Sequence, residues 1–389
     1  MFAGRLIFAQ LMEFLPRHDF NACVRRYRGD ARVRGFSCRD QFLAMAFAQL
    51  TYRESLRDIQ ACLRAMQDKL YHAGFRGMVA RNTLARANEL RDWRIYHDFA
   101  QLLIRRARGL YSQEPLAVAL DNTVYALDST VIELCLSLFP WAHSQRHKAA
   151  VKLHTLLDVR GNIPCVVRVS TAKTADSKVL DQLLPEPGSF YIMDRGYNDF
   201  QRLLRWTQAG AFFVVRGRKN ITFVRRARRQ VDRSSGLRSD QTVRFRDRRT
   251  CKHYPDVLRR VTFYDVQHRR RLILLTNAFH LPAAAIPQLY KCRWQVELFF
   301  KWIKQHLRIK HFFGRSPNAV KTQVWIAISV YVLVAILRRE LKLTRSQYEI
   351  LQILSVAIFE KTPYLAAFLQ QTVTHLPTDR PNQLPLFDF

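Results

Sequence analysis

The chain is 389 residues long, enough to bury a substantial core over two or three domains. Its 63 Lys and Arg against 31 Asp and Glu leave a formal charge of +32, while 48% of its residues are hydrophobic. That pairing excludes a disordered basic tail and describes a folded protein with a cationic surface, suited to a polyanion and to DNA above others, bound more weakly as salt rises. Seven cysteines, at 23, 38, 62, 135, 165, 251 and 292, lie scattered without a CxxC pair. They argue against a disulfide framework or a zinc site and for a reducing cytoplasm.

The N-terminal stretch MFAGRLIFAQLMEF is apolar but broken by Arg5 and Gln10, which makes it a poor signal peptide. Residues 1–110 read as an all-helical domain. Leu6, Phe8, Leu11 and Phe14 recur at helical spacing, Phe42 to Leu50 forms another apolar helix, and Ser55 opens a short one. After Gly74 and Gly77 a further helix begins near Asn82, a candidate cap. Two short helices and a turn, followed by Arg86, Arg91 and Arg94, fit a helix entering a DNA groove as well as a plain packing domain.

From about residue 115 the period shortens. Leu116 to Leu120 and Val124 to Leu127 read as strands, and Val151 to Asp158 and Ile163 to Ser170 as a hairpin about Arg160-Gly161-Asn162. Residues 176–184 look helical, Phe190 to Met193 is a buried strand ending at Asp194, and Phe200 to Gln208 is a helix stopped by Gly210. Phe212 to Val215 is the next strand. This alternation predicts an α/β sheet of ribonuclease-H-like type, with Asp128 and Asp194 at strand ends.

Residues 217–285 depart from the pattern. They start with Arg225, Arg226, Arg228 and Arg229 and continue as strand-like pieces, a β-rich insertion in a domain spanning 111–340. The apolar run Val324 to Leu337 is too short for a span of about 20 residues and reads as a core helix. Helices and a tail follow over 341–389.

The most specific pattern is YKCRWQVELFFKWIK. Tyr290, Arg293, Glu297 and Lys304 stand at offsets 0, 3, 7 and 14, which at about 100° per residue fall within roughly 60° of arc on a helix. Val296, Phe299, Phe300, Ile303 and Leu307 make the adjoining apolar stripe, the side expected to be buried. A carboxylate flanked by a phenol and cations suits a phosphodiester, the carboxylate holding a divalent ion and the cations gripping phosphate oxygens. Each acid has a plainer reading. Asp128 precedes Thr130-Val131-Ile132-Glu133, a possible helix cap; Asp194 precedes Arg195-Gly196, a turn; Glu297 can pair with Arg293 or Lys301 on its own helix.

The spacing Y-x2-R-x3-E-x6-K resembles the signature of bacterial insertion-sequence transposases of the DDE type, insertion-sequence family four. LDST at 127–130 and MDRGY at 193–197 resemble the family's first and second aspartate motifs, and the N-terminal hundred residues are similar to the helical domain of one branch. The resemblance implies Asp128, Asp194 and Glu297 as catalytic ligands of two Mg²⁺ ions (Mn²⁺ as substitute), with Asp121 of LDNT the rival for the first position. It implies that Tyr290, Arg293 and Lys304 hold DNA near the cut, with Lys301 close by, while Arg225 to Arg229 track flanking DNA. Trp294 either stacks on an unpaired base or, the preferred reading, belongs to the core. Arg146, Lys148 and Lys152 are lesser phosphate candidates. The implied activity is cleavage of inverted-repeat ends and joining of 3′ hydroxyls to target DNA by a homodimer, with a non-catalytic DNA binder or a hydrolytic nuclease as alternatives. Gln383, Leu384, Leu386 and Phe387 of the tail resemble the peptide by which bacterial proteins dock on the replication sliding clamp, the alternative being a frayed tail. No part of the chain reads as membrane-bound.

Overall fold

Two serines set the registers of early helices. Ser37 and Asp40 cap α3 (Cys38–Leu50) reciprocally, as Ser55 and Asp58 cap α4 (Leu56–Ala65). The computed structural model describes residues 5–363 and 368, apart from 117, 119, 135–136, 146–147 and 306–311. α1 (Ile7–Met12) and α2 (Arg17–Arg26) precede these helices. α5 (Gln67–Leu70), α6 (Arg81–Leu90) and α7 (Arg94–Tyr111) follow. Asn82 does not cap α6: it lies inside the first turn, after Ala80 at the N-cap, and its side chain accepts from Arg81 instead.

α7 buries Ile95, Phe99, Leu103 and Ala107, spaced by four, together with Tyr96, Ala100, Ile104 and Tyr111. This stripe packs along α12 (Pro317–Glu340), which starts at the Ser316 cap with Pro317 in its first turn. α12 has the length and apolarity of a membrane span, but its residues are enclosed by the protein itself. α13 (Gln347–Ala357) packs beside it, and the backbone after α13 accepts from Ile7 and Phe8.

The sheet begins with β1 (Val124–Leu134), β2 (His143–Gln145), β3 (Lys148–Asp158) and β4 (Ile163–Thr171). β5 (Phe190–Met193), α8 (Phe200–Gln208) and β6 (Phe212–Arg216) complete its first half. β3 runs antiparallel to β1 and β4, whereas β5 and β6 run parallel to β1, giving the order β4-β3-β1-β5-β6 of a ribonuclease-H-like fold. Leu116 and Leu120 lie outside any strand. β1 instead runs on to Leu134, so Thr130 to Glu133 cap no helix and Asp128 sits in mid-strand rather than at its end. Residues 176–182 wind as a tight helix of about three residues per turn.

Strand alternation gives the sheet two apolar faces. Tyr125, Leu127, Tyr191 and Met193 face a core with Leu203 and Trp206 of α8, while Ala126 packs with α7 and α12 on the other side. The 217–285 segment continues the sheet rather than forming a separate one. β7 (Phe223–Arg229), β8 (Leu237–Phe245), α9 (Arg248–His253), β9 (Leu258–Asp265) and β10 (Arg270–Thr276) make an antiparallel meander whose last strand pairs with β6. Asn277 fastens the junction by accepting from Phe213 N–H and donating to Ala211 C=O and Thr207.

Within the meander Arg259 and Asp240 form a nearly solvent-free ion pair at 2.8 Å, and Arg259 also donates to the carbonyls of Ala278 and Leu281. Asp240→Ala should therefore destabilise the protein by about 3–5 kcal/mol in urea denaturation, because it strands a buried cation, while Asp240→Ala/Arg259→Met should recover most of the loss. Equal losses in both variants would show that packing, not the stranded charge, sets the cost.

Candidate active site

The parallel register of β1 and β5 aligns Leu127 with Met193, so the next residues along, Asp128 and Asp194, are neighbours across the sheet. Both have the parity of Ala126 and Ile192, which face away from α8. That face receives α10 (Ala285–Lys291) and α11 (Trp294–Gln305). Tyr290 to Glu297 is not one uninterrupted α-helix. Arg293, Gln295 and Val296 donate to carbonyls three residues back, a tightened joint between α10 and α11 that keeps the path helical and the polar stripe intact.

Arg293 sits at this joint and links the acids. Its Nη1 donates to Asp128 Oδ2 at 2.7 Å, and its Nη2 donates to Glu297 Oε1. The Tyr290 hydroxyl donates to Asp194 Oδ1 at 3.3 Å, and Arg216 Nη1 stands 3.9 Å from the same oxygen. Val296, Phe299, Phe300 and Ile303 are buried and anchor α11; Leu307 lies outside the described residues.

Burial pushes the Asp128 carboxyl up to about 6; Arg293 and the Ser129 N–H oppose the rise, and the charges of Asp194 and Glu297 add to it. Burial also raises the Tyr290 phenol. Burial disfavours the Arg293 cation, but the surrounding acidic groups outweigh it and hold the guanidinium protonated. Three hard oxygen donors, one of them raised partly by repulsion from the other two, suit a divalent cation. As the side chains stand, no group of three acids, histidines or cysteines among the described residues is gathered closely enough to hold a metal. The Arg293 guanidinium lies between two of the carboxylates, Asp128 and Glu297.

Residues 119–333 match the family model of the transposase DDE domain. The chain belongs to that family. A second model, a domain of unknown function (DUF4372), matches residues 3–76. A transposase-named protein of Sinorhizobium fredii is 34% identical over 60% of this chain and 66% of its own length. A Geobacillus stearothermophilus protein named for insertion sequence element IS5377 is 31% identical over 58% of this chain and 57% of its own. These matches thus span less than two thirds of either relative. A piggyBac transposase synaptic complex with hairpin DNA, 9% identical, covers 97% of this chain and 86% of its own with a TM-score of 0.47, too slight a likeness to carry an argument.

Other expected residues of this DDE-family chain fall in different places. Asp121 is exposed ahead of β1, its carbonyl held by Arg160, and it makes no ion pair among the described residues. Lys301 is exposed on α11 and Lys304 half-buried near its end. Trp294 is 56% exposed, which overturns the core reading. Arg225, Arg226, Arg228 and Arg229 lie exposed along β7, the last of them 3.6 Å from Asp240. Arg91 and Arg94 are engaged internally: Arg91 with the carbonyls of Phe36 and Ser37, Arg94 with Asp92. Arg146 and the tail residues Gln383 to Phe387 lie outside the described residues.

Sequence reading missed a supporting network. Ser129 N–H donates to Asp128 Oδ1 at 2.8 Å, and the Ser129 hydroxyl donates to Asp176 Oδ1 at 2.6 Å. Lys152 also holds Asp176, at 3.2 Å, together with the Thr174 carbonyl, so it braces the site rather than facing a phosphate. Asp176 carries no motif; only the folding of the 171–182 segment over β3 brings it here.

The Asp128 value has a consequence for stability. It lies above the unfolded value of about 4, so the folded chain holds this proton between about pH 4 and 6, and the associated stability is lost as pH rises through 6. In chelator at about pH 7.5, Asp128→Asn should be more stable than the unaltered chain by about 1–3 kcal/mol, with the gap closing near pH 4. Urea denaturation at both pH values measures this, and a less stable variant at neutral pH would refute it.

Proposed function

We propose that this protein is an active DNA transposase that binds the inverted-repeat ends of its own insertion sequence, cleaves them and joins the freed 3′ hydroxyls to target DNA. The observation that carries the reading is that Arg293 bridges Asp128 and Glu297 while Asp194, bonded by Tyr290, follows the neighbouring parallel strand beside Asp128. Proteins of this family act through divalent metal ions, and the three carboxylates are the groups that would hold two Mg²⁺ ions, Mn²⁺ substituting. Bound there, the ions would lower the pKa of an attacking water and neutralise the leaving oxygen.

The protein's own groups do the rest. Asp128 is fixed by the Ser129–Asp176–Lys152 network. Arg293, bonded to Asp128 and Glu297, would present its guanidinium fork to a phosphate if those carboxylates held metal instead. Tyr290 hydrogen-bonds Asp194 at the other edge. Lys301 and Lys304 extend the positive stripe along α11, and the exposed Trp294 offers a ring for an unpaired base. The arginines of β7 suit flanking DNA, and the helices over residues 1–110 suit end recognition, through the exposed Arg57, Arg64 and Arg86 on α4 and α6 rather than through Arg91 and Arg94. Two copies would hold two ends, in the cytoplasm at the nucleoid. The Gln383-Leu384-Pro385-Leu386-Phe387 tail would dock on the sliding clamp and couple transposition to replication.

Purified protein incubated with Mg²⁺ or Mn²⁺ and a plasmid carrying the DNA that flanks its gene should yield defined end cuts and joined products. Asp194→Ala should yield neither, with a loss of at least about a thousandfold. Binding without cutting would instead make the protein a non-catalytic DNA binder, and cutting without joining a nuclease. Removal of residues 383–389 should abolish clamp pull-down and leave cleavage in vitro intact; undiminished pull-down would eliminate the clamp contact.

A further inference from the structure

Next to Asp194 the protein surface sinks into a cavity of about 720 Å³. Arg195, Arg216, Arg218, Lys219, Arg260 and Arg271 line it, and Asp194 is its one acidic lining residue. They come from separate places in the chain: the turn after β5, the end of β6 and the loop beyond it, and the meander strands β9 and β10. Arg271, Ile273 and Leu275 alternate onto one face of β10, and Arg260 stands opposite Leu275 in the β9–β10 register. Sheet continuity between β6 and β10 is therefore what brings the meander's arginines to the carboxylates.

Some arginines elsewhere in the chain are matched with acids. Arg259 pairs with Asp240, Arg202 and Arg205 with Asp181, and Arg26 with Asp98. Here only Arg216 meets a carboxylate, at 3.9 Å, and among the described residues the other five cations form no ion pair. Arg260 is half-buried yet held in place, its guanidinium over the Phe223 ring at 5.6 Å and reaching Gln241 at 3.3 Å, while its Nε has no hydrogen-bond partner. Burial and the neighbouring Arg271 both disfavour its charge. Like charges gathered in a concavity, with donors unsatisfied, favour a polyanion. The lining holds no aromatic residue for a base and no second acid for a ribose, and its floor includes Ile273. Those features fit a sugar-phosphate backbone better than a free nucleotide.

We propose that this cleft seats consecutive phosphates of the DNA strand that continues from the cut site, with the half-buried Arg260 held at its base and the exposed Arg271, Arg218 and Lys219 around it. The assignment rests on the reading of Asp128, Asp194 and Glu297 as a strand-cleaving site. The cleft would fix the direction in which the strand leaves the carboxylates, and guanidinium forks suit phosphate oxygens.

The test uses the full-length protein and a fluorescent duplex of the DNA flanking its gene, with anisotropy measured over a series of NaCl concentrations in chelator. Arg260→Gln/Arg271→Gln should reduce the slope of log K against log salt by about 2, from the loss of two phosphate contacts. Arg248→Gln/Arg249→Gln, which removes the same charge from the exposed α9, should leave the slope nearly unchanged. Arg218→Gln/Lys219→Gln lies in a loop, guards against misfolding of the strand variant, and should repeat the loss. Single neutral methylphosphonates scanned along each strand should weaken binding at a run of adjacent positions on one side of the cut, and those positions should fall silent in Arg260→Gln/Arg271→Gln. An unchanged slope in both cleft variants, or an equal loss in the α9 variant, would overturn the proposal. The slope requires no cutting, so the two readings fail separately. Cleft-dependent binding by a protein that never cuts would support the cleft and refute the transposase; cutting with an unaltered slope would do the reverse.

Discussion

A single guanidinium ties together parts of the chain that lie far apart in sequence. Arg293 bonds Asp128 from 165 residues away and Glu297 from the next helical turn, from a joint between α10 and α11 wound more tightly than an α-helix. The bridge has a foundation in the sheet: parallel pairing of β1 and β5 sets Asp128 beside Asp194, and the two-residue period of strands turns both carboxyls to the helix-covered face. A slip of one residue in that pairing would turn one of the aspartates to the opposite face. Removing the positive charge would leave acids that repel one another in a partly buried setting, where burial already raises the Asp128 carboxyl and Arg293 opposes the rise.

The surrounding architecture holds that geometry stiffly. α12 runs through the interior and shares one apolar core with α7, with α11 and with the side chains of β3 and β4 that face it. The N-terminal helices are thus packed against the sheet through a common buried surface. The segment between β6 and α10 is likewise incorporated, as four strands added to the same sheet, so an excursion of this length still returns the chain for α11 to pack against β1. The buried Arg259–Asp240 pair and its bonds to the carbonyls of Ala278 and Leu281 fix the meander against the stretch leading into α10.

Formal charge alone gives a misleading picture of this surface. Of the arginines singled out by their sequence context, Arg91 and Arg94 are consumed by internal contacts, and Arg229 leans on Asp240 and the Phe279 ring. The cations around Asp194 attract no notice in the sequence, since Arg216, Arg260 and Arg271 lie in short basic runs far apart along the chain, at the ends of apolar strands. They become a cluster only because three strands lie side by side.

Much of the fold was legible from periodicity and punctuation. The strand at Phe190 to Met193, the hairpin whose turn residues Gly161 and Asn162 adopt positive φ, the helix ended by Gly210, and the buried α12 were all foreshadowed. Errors arose where local signals compete with long-range ones. Thr130 to Glu133 carries a helix cap's spelling but extends β1 because β3 pairs with it throughout, and Trp294 reads as apolar yet is exposed because its neighbour Val296 takes the buried stripe. By itself the sequence determined the family and the order of its motifs, since spacings such as Tyr290–Arg293–Glu297–Lys304 are properties of a single helical path. Tertiary structure alone decided that Asp128 rather than Asp121 meets Arg293, that Asp176 braces Ser129, and that unpaired arginines gather beside Asp194. Strand register and side-chain burial depend on contacts between distant residues, and no local pattern encodes them.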